Sequence, residues 1–165
     1  DATAKAVITP GFSLEFPSYK TSLAIGSNHV LLKSELTGDY AKDRKKILSA
    51  LTNGQFYFAL DIIANPRGFY SEIRDGRKTF PMGSELKLTD GLNLHVSLPQ
   101  GLEAPFEINL IKDGRVLVNS HRKSDEFPIK DKGVYRIEVR VIPIFPLPGG
   151  KRWLPWIYSN AFYVR

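Results

Sequence analysis

The chain has 165 residues, 42% of them hydrophobic and 24% charged, and these values predict a folded domain with its own apolar core. Its net charge of +6 raises the question of nucleic-acid binding, but the basic residues mostly have acidic neighbours, as Arg44 has in Asp43, so we expect no nucleic-acid partner. The sequence has no cysteine, which excludes disulfides and thiolate metal sites, and no run of the ~20 apolar residues that a membrane helix requires.

The first third of the chain is predicted to hold one clear helix. Residues 1–38 show no strong period, which predicts an irregular segment with room for short helices. A helix is then predicted over 40–52, capped by the carboxylate of Asp39 and stopped by Asn53 and Gly54. Its apolar side chains form one stripe, made of Tyr40, Ile47, Leu48 and Leu51.

From Gln55 onward the hydrophobic period changes to two, which predicts β-strands to the end of the chain. In "GLNLHVSLP" the apolar residues share one face, and "PFEINLIKDGRVLVNS" predicts a hairpin that turns at Asp113 and Gly114. Turn signals recur about every 8 to 12 residues, a spacing typical of an all-β sandwich.

The stretch "DKGVYRIEVRV" indicates which kind of sandwich this is. Asp131, Gly133 and Tyr135 have the order of a tyrosine corner, in which the phenol bonds back to an upstream backbone group in immunoglobulin-like domains. The alternative is a Tyr135 that only fills core volume. We therefore predict a mainly β fold, an immunoglobulin-like antiparallel β-sandwich preceded by a short segment with one α-helix.

Few residues offer chemistry in this sequence. His29, His95 and His121 lie on separate segments without metal-binding spacing, so we predict a local hydrogen bond for the first and solvated side chains for the other two. Asp61 interrupts the apolar run "FYFALDII" and must therefore be paired or hydrogen-bonded. No second titrating group is evident beside it, so a structural role is predicted and no catalytic residue is assigned.

The segment "PIFPLPGGKRWLPWIYSNAFYV" concentrates aromatic residues among prolines. Trp153, Trp156 and Tyr158 could form a stacking platform for a sugar or a proline-rich ligand. The other interpretation is that this segment covers one end of the sandwich and buries its indoles.

A family resemblance rests on five stretches in order, "DATAKA", "FPSYKTSLAIGSNHVLL", "LTGDYAKDRKKILSALTNGQFYFALD", "GFYSEI" and "LPWIYSNAFYV". Together they span essentially the whole chain, and the most specific parts are "SALTNGQFYFALD" and "PWIYSN". In this order and spacing they resemble the C-terminal part of bacterial members of the PHP (polymerase and histidinol phosphatase) family of metal-dependent phosphoesterases.

The resemblance carries an expectation about metal binding. In such proteins a distorted α/β barrel binds divalent metals through clustered His, Asp and Glu residues, and the last metal motif reads Asp-x-His. Asp1 matches the first position of that motif, whereas Thr3 stands where the histidine would be. A neutral hydroxyl is a poor ligand for a transition metal, so the resemblance implies only a partial metal position at Asp1.

The resemblance also implies a domain organisation and a function. Residues 1–54, including helix 40–52, would be the end of the catalytic domain, and 55–165 would be the sandwich. The implied partner is the upstream catalytic domain of the same polypeptide, with divalent metals bound there and no cofactor in this chain. "DATAKA" then resembles a cut edge, and this chain alone is expected to be a non-catalytic accessory fragment. The alternative is a surface module that binds carbohydrate or protein through Trp153, Trp156 and Tyr158.

Overall fold

The computed structural model describes residues 6–9, 12–14, 25–76, 78–144 and 150–165. These residues contain one helix and fourteen strands. In chain order the elements are β1 (Ala6–Thr9), β2 (Phe12–Leu14), β3 (Ser27–Val30), α1 (Tyr40–Thr52), β4 (Phe56–Ala59), β5 (Tyr70–Arg74), β6 (Thr79–Pro81), β7 (Glu85–Leu86), β8 (Asn93–Ser97), β9 (Phe106–Lys112), β10 (Arg115–Ser120), β11 (Ser124–Pro128), β12 (Gly133–Val141), β13 (Leu154–Ser159) and β14 (Phe162–Val164).

The strands form two main sheets, which confirms the predicted mainly β sandwich. The large sheet has the order β10-β9-β12-β13-β4-β3, and β14 joins it by pairing with β12 and, in parallel, with β7. The small sheet has the order β11-β8-β5-β6, with antiparallel pairing throughout. β1 and β2 pair separately as a two-stranded sheet.

The core lies between the inner faces of the two main sheets, as the period of two predicts. In β12 every second side chain is buried, starting at Tyr135 and ending at Val141. In β8 and its flanks Leu92, Leu94, Val96 and Leu98 are buried in the same alternating way. These apolar faces pack against each other in the core. A one-residue slip of either strand would turn its whole apolar set toward water, so the packing fixes the register of the strands.

The predicted hairpin turn and the predicted tyrosine corner are both confirmed. The β9–β10 hairpin turns at Asp113 and Gly114, whose φ angles of 48° and 83° are those of a type I′ turn. The hydroxyl of Tyr135 donates a hydrogen bond to the carbonyl oxygen of Asp131 at 2.6 Å. This tyrosine corner fixes the crossing from β11 in the small sheet to β12 in the large one.

The helix begins and ends where the sequence predicts. Asp39 Oδ1 accepts hydrogen bonds from the amides of Ala41 and Lys42 at 3.0 and 3.2 Å. Beyond the helix Gly54 has a φ of 67°, and the backbone of Gly83 packs directly against Asn53 and Gly54. A Cβ at Gly83 would lie 2.0 Å from the carbonyl oxygen of Asn53, so only glycine permits this approach.

Two predictions about local structure are wrong. Residues 1–38 were expected to be irregular, but they contain β1, β2 and β3. The run "FYFALDII" was expected to continue as a strand, but β4 ends at Ala59 and Asp61 lies in a turn. The predicted domain division after residue 54 stays a prediction, and β3 and β4, on either side of it, pair within one sheet.

Candidate functional site

Three of the four residues in the apolar stripe of α1 are exposed to water, and the fourth, Ile47, is half-buried. Tyr40 is 80% exposed, Leu48 is 45% exposed and Leu51 is 37% exposed. The side chains that α1 buries are instead Asp43 and Ala50, two turns apart on another face of the helix. The sequence predicts the stripe correctly but does not indicate that it faces away from the sandwich.

A network around Asp43 holds the helix in this orientation. Its carboxylate accepts hydrogen bonds from the Thr37 amide at 2.9 Å, the Thr37 hydroxyl at 3.0 Å and the Gly38 amide at 2.8 Å. The Lys46 ammonium group lies 3.7 Å away. The hydrogen bond from the Thr37 amide is the main cause that lowers the pKa of Asp43. The loop before α1 is thereby tied to the buried face of the helix.

A second cluster joins β3 to the turn after β4. Nε2 of His29 lies 2.8 Å from Oδ1 of Asp61, and the imidazole stacks on the ring of Tyr57 with centroids 4.8 Å apart and an interplanar angle of 6°. The Tyr57 hydroxyl donates to the carbonyl oxygen of Pro66 at 3.0 Å. Burial, with a further contribution from the Asp61 charge, raises the pKa of Tyr57 to about 12.

This His29–Asp61 pair corrects one prediction and completes another. His29 was expected to bond locally, but its partner is 32 positions away. Asp61 has the predicted hydrogen bond, and the titrating neighbour that the sequence did not reveal is His29. The sequence analysis found no signal for the pair, because β3 was not predicted; in the structure the pairing of β3 with β4 places His29 opposite Tyr57.

The other two histidines were predicted to be solvated, which is confirmed for the exposed His121 and wrong for His95, whose side chain is only 16% exposed. Nδ1 of His95 lies 3.0 Å from Oε1 of Glu126 on the neighbouring strand β11. Nδ1 of His121 lies 2.8 Å from the carbonyl oxygen of Phe106. Within the described parts of the chain, no group of three or more His, Asp or Glu residues is placed to hold a metal ion.

The three aromatic residues predicted as a platform do not lie together on the surface. Trp156 is 0% exposed, and its indole Nε1–H donates to the carbonyl oxygen of Ala64 at 3.1 Å. The prediction that Trp156 belongs to a surface stacking platform is therefore wrong. Trp153 is half-buried, with its ring 6.4 Å from that of His121.

A bulge in β13 explains why Trp156 and Tyr158 separate. Residues two apart on a regular strand share a face, so the sequence favours placing both on the same side. In the structure Tyr158 pairs with Glu138 and Pro155 pairs with Arg140, which leaves Trp156 as the extra residue of a bulge. Trp156 therefore enters the core while Tyr158 lies on the outer face of the large sheet.

Tyr158 has an aromatic neighbour on that outer face. Its ring centroid lies 6.5 Å from that of Phe58, the residue paired with it on β4. Partial burial is the main cause that raises the pKa of Tyr158, and the Glu138 charge adds to it. The outer face thus presents two aromatic rings beside charged groups of β12.

The predicted partial metal position at Asp1, with Thr3 beside it, lies outside the described residues. Comparison of the chain with protein-family models, with curated proteins and with solved structures finds no match. In the part of the chain that the structure describes, no helix is both long enough and apolar enough to cross a membrane.

Proposed function

We propose that this chain is the non-catalytic C-terminal part of a PHP-type metal-dependent phosphoesterase, in which the sandwich of residues 55–165 is the accessory unit. The helix α1, in residues 1–54, would pack through its apolar stripe against the rest of the catalytic domain, upstream in the same polypeptide. Two lines support the proposal. One is the resemblance of the five sequence stretches, and the other is the exposed stripe of α1.

The exposed stripe is the structural observation that carries the proposal. Tyr40 and Leu48 line an open cavity of about 430 Å³ together with Ile47 and the guanidinium-bearing Arg44. Large apolar side chains clustered on one exposed face are typical of an interaction surface, because their burial against a partner is favourable. The stripe lies within the segment that the resemblance assigns to the end of the catalytic domain.

Catalytic metals are assigned to the docking partner in this proposal. The described residues supply no set of three metal-binding side chains, and we derive no reaction step from this chain. A phosphoesterase site needs clustered His, Asp and Glu ligands to activate water. The accessory part would stabilise the catalytic domain or shape access to it.

The first test compares the full-length protein with a form that lacks residues 55–165. The proposal expects lower metal-dependent phosphoesterase activity or a lower melting temperature for the shortened form. Unchanged rates and unchanged stability would remove the accessory role.

The second test places a charge on the stripe. Leu48→Glu should leave the folding of the isolated chain nearly unchanged, because Leu48 is already partly in water. It should weaken the stability or activity of the full-length protein, where the stripe is covered. Val116→Glu is the control, since Val116 is also an exposed apolar residue, 59% exposed against 45% for Leu48, and lies on edge strand β10. Equal effects of the two substitutions in the full-length protein would contradict docking through α1.

A second candidate function is a surface module that binds carbohydrate, and one observation favours it. Phe58 and Tyr158 form an aromatic pair on the outer face of the large sheet, beside the Arg140–Glu107 ion pair at 2.8 Å. A sugar could stack on the rings and hydrogen-bond to charged groups nearby. Glycan-array binding that is lost in Tyr158→Ala and kept in Tyr163→Ala would support this candidate, and no binding by the parent chain would remove it.

A further inference from the structure

A cavity of about 380 Å³ opens between two loops of the sandwich. One loop, residues 60–69, follows β4, and the other, residues 98–105, follows β8. Four apolar lining residues that are buried or half-buried form its floor, namely Ile63, Ala64, Leu102 and Ala104. A cavity of this volume with an apolar floor fits a small ligand, since ligand-binding cavities range upward from about 300 Å³.

The cavity is preformed, because both loops are tied to the body of the protein. The 60–69 loop is held at the carbonyl of Ala64 by the indole of Trp156 and at that of Pro66 by the hydroxyl of Tyr57. The 98–105 loop is held at the carbonyl of Gln100 by the ammonium group of Lys123 at 2.9 Å. A ligand would therefore meet walls that are already ordered, which lowers the entropic cost of binding.

The exposed lining residues carry one charge of each sign. Arg67 and Glu103 both line the cavity and are both exposed. Among the residues that the structure describes, neither forms an ion pair, whether with the other or with a third group. An anionic group and a cationic group of one ligand would each find an unpaired complementary charge beside the apolar floor.

We propose that this cavity binds a small zwitterion with an apolar body, whose carboxylate contacts Arg67 and whose ammonium group contacts Glu103. Free apolar amino acids and short apolar peptides share this chemistry. The proposal is independent of docking through α1, since neither loop belongs to the helix or its stripe.

Trp156 supplies a direct readout of occupancy. Its indole Nε1–H donates a hydrogen bond to the carbonyl oxygen of Ala64, a residue of the cavity floor. The indole N–H resonance of Trp156 in an NMR spectrum should therefore shift when the cavity fills. The probes are L-phenylalanine and L-leucyl-L-phenylalanine, each titrated into the whole chain. Binding of the first alone would identify a free amino acid as the ligand, and tighter binding of the second would identify a peptide.

Charge-stripped probes and matched variants test each contact separately. L-Phenylalaninamide lacks the carboxylate and N-acetyl-L-phenylalanine lacks the ammonium group, so each should bind about tenfold more weakly than L-phenylalanine. Arg67→Gln should weaken the binding of L-phenylalanine about tenfold and leave the binding of L-phenylalaninamide unchanged. Glu103→Gln should weaken the binding of L-phenylalanine about tenfold and leave the binding of N-acetyl-L-phenylalanine unchanged. Arg115→Gln is the control and should change nothing, because Arg115 starts β10 beside Lys112, at the end of β9 away from the cavity.

A cavity-filling variant completes the test. Gly101 lines the cavity, and a Cβ built there meets no atom within 4 Å, so Gly101→Phe should fold normally and abolish binding. The proposal is overturned if neither zwitterion moves the Trp156 resonance. It is equally overturned if the Arg67 and Glu103 variants, or the Gly101 variant, bind L-phenylalanine as the parent chain does.

Discussion

The carboxylate of Asp61 lies 2.8 Å from the imidazole of His29, although 32 positions separate the two residues in the chain. The pair links β3, an edge strand of the large sheet, to the turn after β4. Both side chains are about three-quarters shielded from water, so the bond forms in a site with reduced solvent screening. It is therefore expected to contribute to the attachment of β3.

Removal of this pair should destabilise the sheet edge. Asp61→Ala should lower the free energy of unfolding by about 1 to 2 kcal/mol, because His29 loses its partner in a half-buried site. Asp61→Asn keeps an acceptor and should cost less. Urea denaturation measures both, with the exposed Glu35→Ala as control, and a double-mutant cycle with His29→Ala should show coupling. Additive effects in that cycle would contradict a direct bond.

Loss of the tyrosine corner should weaken the crossing between the sheets. Tyr135→Phe removes the hydroxyl that donates to Asp131 and should lower the free energy of unfolding by about 1 kcal/mol. Tyr70→Phe is the control, since Tyr70 is exposed on β5. An equal effect of the two substitutions in chemical denaturation would show that the Tyr135 bond adds nothing.

The two tryptophans should differ in their access to solvent. In Trp153→Phe the remaining Trp156 is fully buried and should resist fluorescence quenching by acrylamide. In Trp156→Phe the remaining Trp153 is half-buried and should be quenched more readily. Similar quenching constants for the two variants would be inconsistent with the bulge that turns Trp156 inward.

Alkaline pH should destabilise the fold through Tyr57. Burial raises the pKa of Tyr57 from 10.0 to about 12, so the folded chain holds the phenol proton more tightly than the unfolded chain. Its contribution to stability is fully present below pH 10.0 and is lost as the pH rises toward about 12. The stability difference between the parent chain and Tyr57→Phe should therefore shrink over this window in chemical denaturation. A constant difference would contradict the raised pKa.

Acid should loosen the start of α1 through Asp43. Hydrogen bonds from Thr37 lower the pKa of Asp43 below 3.8, so its carboxylate stabilises the fold above that pH and ceases to do so as the pH falls through the lowered value. The protection factors of the α1 amides against hydrogen exchange should fall in this acid range. Asp43→Asn should exchange faster already at neutral pH and should show a flatter acid dependence. The same acid profile in both proteins would rule out this role for Asp43.

Local chemistry made much of the fold predictable from the sequence. The alternation in β12 and β8 identifies their buried faces because strand side chains alternate with a fixed period of two. Asp39 and the pair Asp113 and Gly114 define a helix start and a hairpin turn, since each acts on backbone groups within a few residues. Tyr135 is also a short-range signal, because its partner Asp131 is four positions away.

The arrangement of the candidate sites was decided only by tertiary structure. The sequence predicts a stripe on α1, but the loop bonds of Asp43 orient that stripe toward water. It places Trp156 and Tyr158 on one side of β13, but a bulge in the pairing with β12 separates them. It offers His29 and Asp61 as isolated residues, and the β3–β4 pairing brings them together. In the first case the outcome depends on the path of the loop before α1, which brings Thr37 and Gly38 to Asp43. In the other two it depends on which distant strand pairs beside the residue, and short-range periodicity carries no information about either.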